Sequence, residues 1–284
     1  SSNAKEYLEI GGEDSTAKLS DYTDVYFCGD EDDGHAKKNK WTKTWLPTDT
    51  DEEEDDQKWF WFDKNGKLYK TTSASASNAE AFELKDGLLK SEGNAVVDVS
   101  KKKVNGKDYW FDEEGAMLSK FYLVDGDMYY FGGSNDGSMK TGSQTVKDNT
   151  GDSYKFYFYT KDTYGYKKGA GVVGNQSNKL YYYGMLIQAD DYKYQLATIA
   201  KDGVDYSFIV NSNGTIQHSK STEYKEDGDV LIATGIKNAS GKATETKFVE
   251  NGQFKYAISN EANNWDTVSK NVADIDMSGF VQGK

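Results

Sequence analysis

Residues Lys107 to Gly142 read KDYWFDEEGAMLSKFYLVDGDMYYFGGSNDGSMKTG, one short pattern written twice. Tyr109-Trp110-Phe111, an acidic residue, Gly115 and Met117 answer to Tyr129-Tyr130-Phe131, Asn135-Asp136-Gly137 and Met139. The copies lie about 20 residues apart, a period in the range of stacked repeat arrays. An aromatic triplet with alternating faces that runs into an acidic-Gly turn reads as a strand entering a β-hairpin. One such hairpin cannot bury its own aromatic face, whereas a tandem series buries each against the next. The pattern therefore predicts an all-β chain, an elongated tandem β-hairpin repeat of β-solenoid-like type.

Further copies flank the central pair. Val25-Tyr26-Phe27-Cys28 predicts a strand, Asp32-Asp33-Gly34 its turn and Lys40-Trp41 its exit. Trp59-Phe60-Trp61-Phe62 followed by Asn65-Gly66 restarts the unit, with Trp59 and Trp61 on one strand face and Phe60 and Phe62 on the other. Phe156 to Tyr159, Leu180 to Tyr183 before Gly184, and Tyr206 to Val210 before Asn213-Gly214 continue it. The low-complexity SASASN at 73–78 marks a loop, and AEAFELKDGLL after it opens either a short helix or a degenerate hairpin closing at Asp86-Gly87. From Ser219 the period fades. Lys247-Phe248-Val249 and Phe254-Lys255-Tyr256 across Asn251-Gly252 still read as a hairpin, and Trp265 to Lys284 shows no period. The expected organisation is cloning residues over 1–4, hairpin repeats over 5–218, and a degenerate or capping β segment over 219–284, as solenoid ends require.

Composition narrows the function. Mean hydropathy is −0.82 and 29% of residues are charged, values of a chain too polar to fold were it not 14% aromatic. One proline against 28 glycines suits strands and turns. The net charge of −13 is carried without any arginine, which argues against nucleic acid as a partner. Cys28 is the only cysteine, so no internal disulfide forms, and the expected setting is a half-buried strand thiol. His35 and His218 fall in separate copies, leaving no base for a metal site or a triad. No apolar run is long enough to span a membrane, and no signal peptide is read.

The acidic residues read as solvated. Asp30, Asp32 and Asp33 lack the ligand order and closing Glu of a calcium loop. The run TDTDEEEDDQ at 48–57 predicts an exposed acidic loop, with weak divalent-ion binding as the other reading. Asp112, Glu113 and Glu114 are placed on an exposed turn tip. General-acid work needs a desolvated carboxyl with a raised pKa, so the chain is read as non-enzymatic, with no catalytic residues and no cofactor.

The recurrent aromatic triplet, the Asp/Asn-Gly turn, the Met or Leu two positions on, KNKW at Lys38 to Trp41 and SMKTG at Ser138 to Gly142 resemble the cell-wall-binding repeat family. That family, also called choline-binding or glucan-binding repeats, belongs to Gram-positive surface and secreted proteins. The resemblance covers Tyr26 to Gly214. It implies hairpins wound into a spiral, with choline on teichoic acids, α-glucan or a related wall polymer held between them on aromatic platforms. Choline is held by cation–π attraction and sugars by ring stacking.

The family's Gly-Trp after the hairpin is Lys40-Trp41, Lys120-Phe121 and Gly142-Ser143 here. The aromatic that opens the triplet is Trp59 or Phe156, with Asp108 and Met128 between. The resemblance thus nominates Trp41, Trp45, Trp59, Trp61, Phe121 and Phe156 as the platform. Only the four tryptophans cluster densely enough for a cage. The function expected is a secreted, surface-attached protein that binds wall polymer or polysaccharide, choline included. The competing readings are a structural spacer or adhesin for a protein partner, and the non-catalytic part of a carbohydrate-active enzyme.

Overall fold

A computed structural model describes residues 16–28, 34–49, 53–163, 165–190, 192–201 and 204–217, together with the strands 224–226, 229–232, 254–259, 265–270 and 281–282. It is an all-β structure. Among the described residues the helical segments are three-residue 3-10 turns at Leu19–Asp21, Glu54–Asp56 and Ser73–Ser75. The strands are β1 (Lys40–Thr44), β2 (Lys58–Phe62), β3 (Ser77–Lys85), β4 (Leu88–Ser91), β5 (Val97–Val104), β6 (Lys107–Phe111), β7 (Phe121–Val124) and β8 (Asp127–Tyr130). They continue as β9 (Gly142–Lys147), β10 (Ser153–Phe158), β11 (Gly174–Gln176), β12 (Lys179–Tyr182), β13 (Met185–Leu186), β14 (Tyr194–Lys201) and β15 (Val204–Asn211).

Two kinds of turn join them. Asp86-Gly87, Asn105-Gly106, Asp125-Gly126 and Tyr183-Gly184 all have two successive positive φ angles, the type I′ geometry that matches strand twist. The 79–89 segment is therefore a hairpin, closed at Asp86-Gly87, and not a helix. The second kind spans five residues and is held by its own first side chain. Asp63 Oδ1 accepts the amides of Asn65 and Lys67, Asp112 Oδ1 those of Glu114 and Ala116, Asp148 Oδ1 those of Thr150 and Asp152, and Asn211 Oδ1 those of Asn213 and Thr215. Glycine is fourth in each, at Gly66, Gly115, Gly151 and Gly214, with φ between 74° and 94°. One carboxylate or amide oxygen that replaces two lost backbone partners explains why Asp or Asn recurs there.

Stacking of the copies is carried by the backbone. The amide of Met117 donates to Trp59 O at 2.9 Å, that of Met139 to Asp108 O at 2.8 Å, and that of Gly171 to Met128 O at 2.7 Å. Trp59, Asp108 and Met128 are the residues that open the successive triplets, so each return strand rests on the copy before it. Because the bond uses main-chain atoms, the opening side chain is free to vary.

Contacts divide the described residues into two units. The first comprises the chain up to Glu80, Ala95–Asp125 and Tyr130–Met139; the second comprises Ala81–Asn94, Gly126–Tyr129 and Lys140 onward. In the first, β1 and β2 form an antiparallel hairpin across the acidic connection, with Trp41 opposite Trp61 and Lys43 opposite Trp59. The parity of β2 sorts its rings as expected. Phe60 and Phe62 enter a core with Leu19, Val25, Leu68 and Ala116, while Trp61 enters another with Val104 and Phe111. In the second unit the sheet order is β11-β12-β13-β10-β9, and β14 pairs with β15 along its whole length.

Four expectations are corrected. Val25 to Cys28 is not a strand: Cys28 makes a single bridge to Ala36, and its thiol is exposed. The hairpin that follows is built from β1, whose first residues had been read as an exit. Trp265–Lys270, where no period was visible, is a strand antiparallel to Phe254–Ser259. The Asp32-Asp33 turn carboxylates, His218 and the Lys247 to Gly252 half of the predicted C-terminal hairpin lie outside the described residues.

Candidate aromatic platform

In the first unit, Trp41, Tyr69, Tyr109 and Met117 pack as half-buried side chains around the buried base of Trp61, Val104 and Phe111. Trp41 is the hub. Its ring centroid lies 5.4 Å from Trp61, 4.8 Å from Tyr109 and 5.7 Å from Phe111, the last nearly parallel at 21°. Tyr69 meets Phe111 edge-on at 5.1 Å. Tilted, edge-on and offset contacts of this kind suit the ring quadrupoles.

Local sequence explains how the rings converge. Trp41 and Trp61 face one another because they are cross-strand partners in β1–β2. Tyr109 and Phe111 are two apart on β6 and share its face, while Tyr69 returns after the Asp63 turn with its amide bound to Trp61 O at 2.9 Å. Met117 bridges Phe111 after the Asp112 turn.

The nominated platform residues divide into three groups. Trp41 and Trp61 are brought together, with Trp61 only 6% exposed, so it forms the base of the cluster. Trp59 and Trp45 are half-buried with their indole edges fixed: Trp59 Nε1 donates to Asn135 Oδ1 at 3.0 Å, and Trp45 Nε1 to Glu53 O at 2.9 Å. Phe121 and Phe156 are core residues at 3% and 1% exposure, and a ring with no open face cannot stack on a ligand. Phe121 is stacked on Tyr130 at 4.5 Å, and Phe156 on Phe158 at 6.0 Å. Sequence reasoning passed over Tyr69, Tyr109 and Met117. The triplet parity, which puts Tyr109 on the face of Phe111, was the signal available.

The electrostatics favour neutral phenols. Burial raises the Tyr69 hydroxyl pKa, and burial followed by the Asp136 carboxylate raises those of Tyr109 and Tyr130. Each stays a neutral hydrogen-bonding group at physiological pH. A negative charge beside Tyr109 also makes this end of the cluster attractive to a cation.

The Asp112 turn departs from expectation. Asp112 is not a freely solvated carboxylate: desolvation by burial raises its pKa to about 6, against the lowering effect of the amides of Ala116 and Glu114. Its Oδ1 is committed to those two amides, a structural duty that Asn211 performs without charge. Glu114 beside it clamps the N-terminal 3-10 turn, accepting the amides of Leu19 at 2.6 Å and Ser20 at 3.2 Å and the Ser20 hydroxyl.

No protein-family model and no curated protein matches the sequence. Solved structures do. The chain is similar to CbpF in complex with ipratropium, at 20% identity and TM-score 0.39, covering 73% of this chain and 52% of that one. It is similar to the choline-binding domain of CbpL from Streptococcus pneumoniae, at 15% identity and TM-score 0.28, covering 65% and 79%. It is also similar to an alternansucrase in complex with isomaltononaose, at 18% identity and TM-score 0.27, covering 70% of this chain and 13% of that one. The chain thus spans about half the length of CbpF and a small part of the alternansucrase. In its recurring motif and its all-β hairpin fold, the chain resembles the cell-wall-binding repeat family of choline-binding and glucan-binding modules.

Proposed function

We propose that the chain is a non-catalytic binding module for a bacterial wall or extracellular glycan, holding it on the Trp41, Tyr69 and Tyr109 rings. The observation that carries this reading is the arrangement of those half-buried rings over a sealed base of Trp61, Phe111 and Val104. A quaternary ammonium such as choline would be held by cation–π attraction of about 0.5–2 kcal/mol per ring, aided by Asp136. A sugar would stack its C–H face on Trp41 and take a hydrogen bond from the Tyr109 hydroxyl.

Such a shallow platform supports millimolar affinity, equivalent to about 4 kcal/mol. Attachment to a polymer then depends on several sites acting together, which multiplies affinity by about 10²–10⁴. A surface or cell-wall location follows from this ligand class. The test is tryptophan fluorescence titrated separately with choline and with gluco-oligosaccharides, on the wild type, Trp41→Ala and Tyr109→Ala. Saturable change with one ligand class, lost in both variants, is the expected result. Unperturbed emission with both classes, together with undiminished wall binding by the variants, would make these rings core.

A further inference from the structure

A cleft of about 670 Å³ opens in the first unit and shares only Tyr69 with the Trp41 cluster. It is lined by the N-terminal turn at Ser20 to Thr23, by Leu68 and Tyr69, and by Thr71 to Ser73. Its volume falls within the range of sites that enclose small molecules.

The walls are fixed by charge on both sides of one peptide segment. Glu114 takes the amides of Leu19 and Ser20, and Lys70 Nζ donates to the carbonyls of the same two residues at 2.9 and 3.2 Å. Leu19 beneath is buried at 7% exposure. Tyr69 is equally constrained: its hydroxyl donates to Lys101 O at 3.2 Å, and Lys102 Nζ sits 4.7 Å above the ring. Thr71, 4% exposed, is tied to Ser100 through its hydroxyl. A cleft whose walls are held without a ligand pays little to order them on binding.

We propose that this cleft is a second binding site, for a short neutral oligosaccharide. Its lining residues include Lys67, Lys70 and Lys102 beside Asp21, Asp63 and Glu113. Lys67 is paired with Asp24, Lys70 holds the N-terminal turn and Asp63 holds its own, so Lys102, Asp21 and Glu113 are the charged side chains offered to a ligand. Donors and acceptors together, with the exposed Thr72 and Ser73 beside them, match a ligand whose hydroxyls each donate and accept. The phenyl surfaces of Tyr22 and Tyr69 supply the apolar part. A polyanion meets the three carboxylates and the −13 charge of the chain, and a cation meets the three lysines. A neutral polyol meets neither penalty. The site depends on the reading above only in its ligand class, since the rings of the Trp41 cluster other than Tyr69 take no part in it.

The experiment is amide NMR of the whole chain titrated with maltotriose, isomaltotriose and choline chloride, with the wild type, Trp41→Ala and Thr72→Trp. Thr72 is exposed on the rim, so an indole there fills the cleft without entering the core. At least one sugar should shift the Thr71, Thr72 and Ser73 amides saturably at millimolar concentration, and choline should not. The shifts should persist in Trp41→Ala and weaken about tenfold or more in Thr72→Trp, which corresponds to 1.4 kcal/mol or more. Lys102→Met and Glu113→Gln, which remove one donor and one acceptor, should each weaken binding several-fold. Silence of these amides with both sugars up to about 20 mM, their loss in Trp41→Ala, or their survival in Thr72→Trp would overturn the proposal. Persistence of the shifts when the Trp41 cluster binds nothing would support the cleft while the platform reading fails.

Discussion

Trp41 and Trp61 lie directly opposite one another in the β1–β2 ladder, ring centroids 5.4 Å apart, yet only Trp61 is sealed from solvent. The two indoles should therefore respond differently to truncation. Trp61→Ala should cost about 3–5 kcal/mol of stability, the range for a buried large ring with its cavity. Trp41→Ala should cost less and abolish ligand-induced fluorescence change. Urea unfolding of both variants, paired with the titration, separates the two roles.

Phe121→Ala and Phe156→Ala should behave like Trp61→Ala. Both rings are nearly fully buried, so each should lose about 3–5 kcal/mol while the remaining folded protein binds ligand with unchanged affinity. Weakened binding without a stability loss would return these rings to the platform.

Asp112 gives a pH dependence of unusual sign. Its folded pKa of about 6 lies above the ordinary 3.8, so the folded chain binds this proton more tightly than the unfolded one. The contribution is fully present below the ordinary value and is lost as pH rises through about 6. Its upper bound is about 3 kcal/mol at 1.36 kcal/mol per pKa unit. Asp112→Asn, which copies the Asn211 turn, should remove this loss and gain most over the wild type above pH 6. Asp148 heads the same kind of turn with the opposite shift. Against a desolvation that raises its pKa, hydrogen bonds from Thr150, Asp152 and Gly87 hold it below the usual range. Its contribution is present above that range and lost as the carboxylate protonates. Urea midpoints from about pH 2 to about pH 8 should show Asp112→Asn gaining on the wild type as pH rises through about 6, and the deficit of Asp148→Asn closing only as pH falls below the ordinary 3.8.

Gly137→Ala should destabilise the first unit by about 1–3 kcal/mol. Gly137 has φ of 73°, and a Cβ there would overlap the Met117 sulfur. Met117→Ala should relieve the overlap and recover only part of the loss, because the left-handed backbone remains strained for any side chain. The double-mutant cycle measures that part.

The chain should show no turnover of wall polymer or α-glucan. Asp112 is the one described carboxyl raised to about 6, and its Oδ1 already holds the turn. Reducing-end release that disappears in Asp112→Asn would show the carboxyl to be a catalytic acid after all.

In the copies at Trp59, Tyr109 and Tyr129 the sequence by itself located the strands and turns and the residues that share a strand face, whereas it misled at Val25 to Cys28, Lys40–Thr44 and Trp265–Lys270. An aromatic alternation of period two followed by Asp-x-x-Gly or Asn-x-x-Gly has few other solutions, since one side-chain oxygen closes the turn and glycine supplies the positive φ. The split of Phe60 and Phe62 from Trp61 followed from parity alone. Only tertiary structure decided which rings stay open to solvent. Trp41 and Trp61 are chemically identical, and their difference comes from Val104 and Phe111, which a later copy lays against one of them and not fully against the other. Phe121 and Phe156 match the binding positions in spelling and are closed by neighbours that no local pattern reveals. The desolvation of Asp112 and the cleft beside Tyr69 arise in the same way. Burial is a property of the assembled neighbours, Leu19 and Glu114 among them, and residues nearly a hundred positions apart are not in register in any local reading.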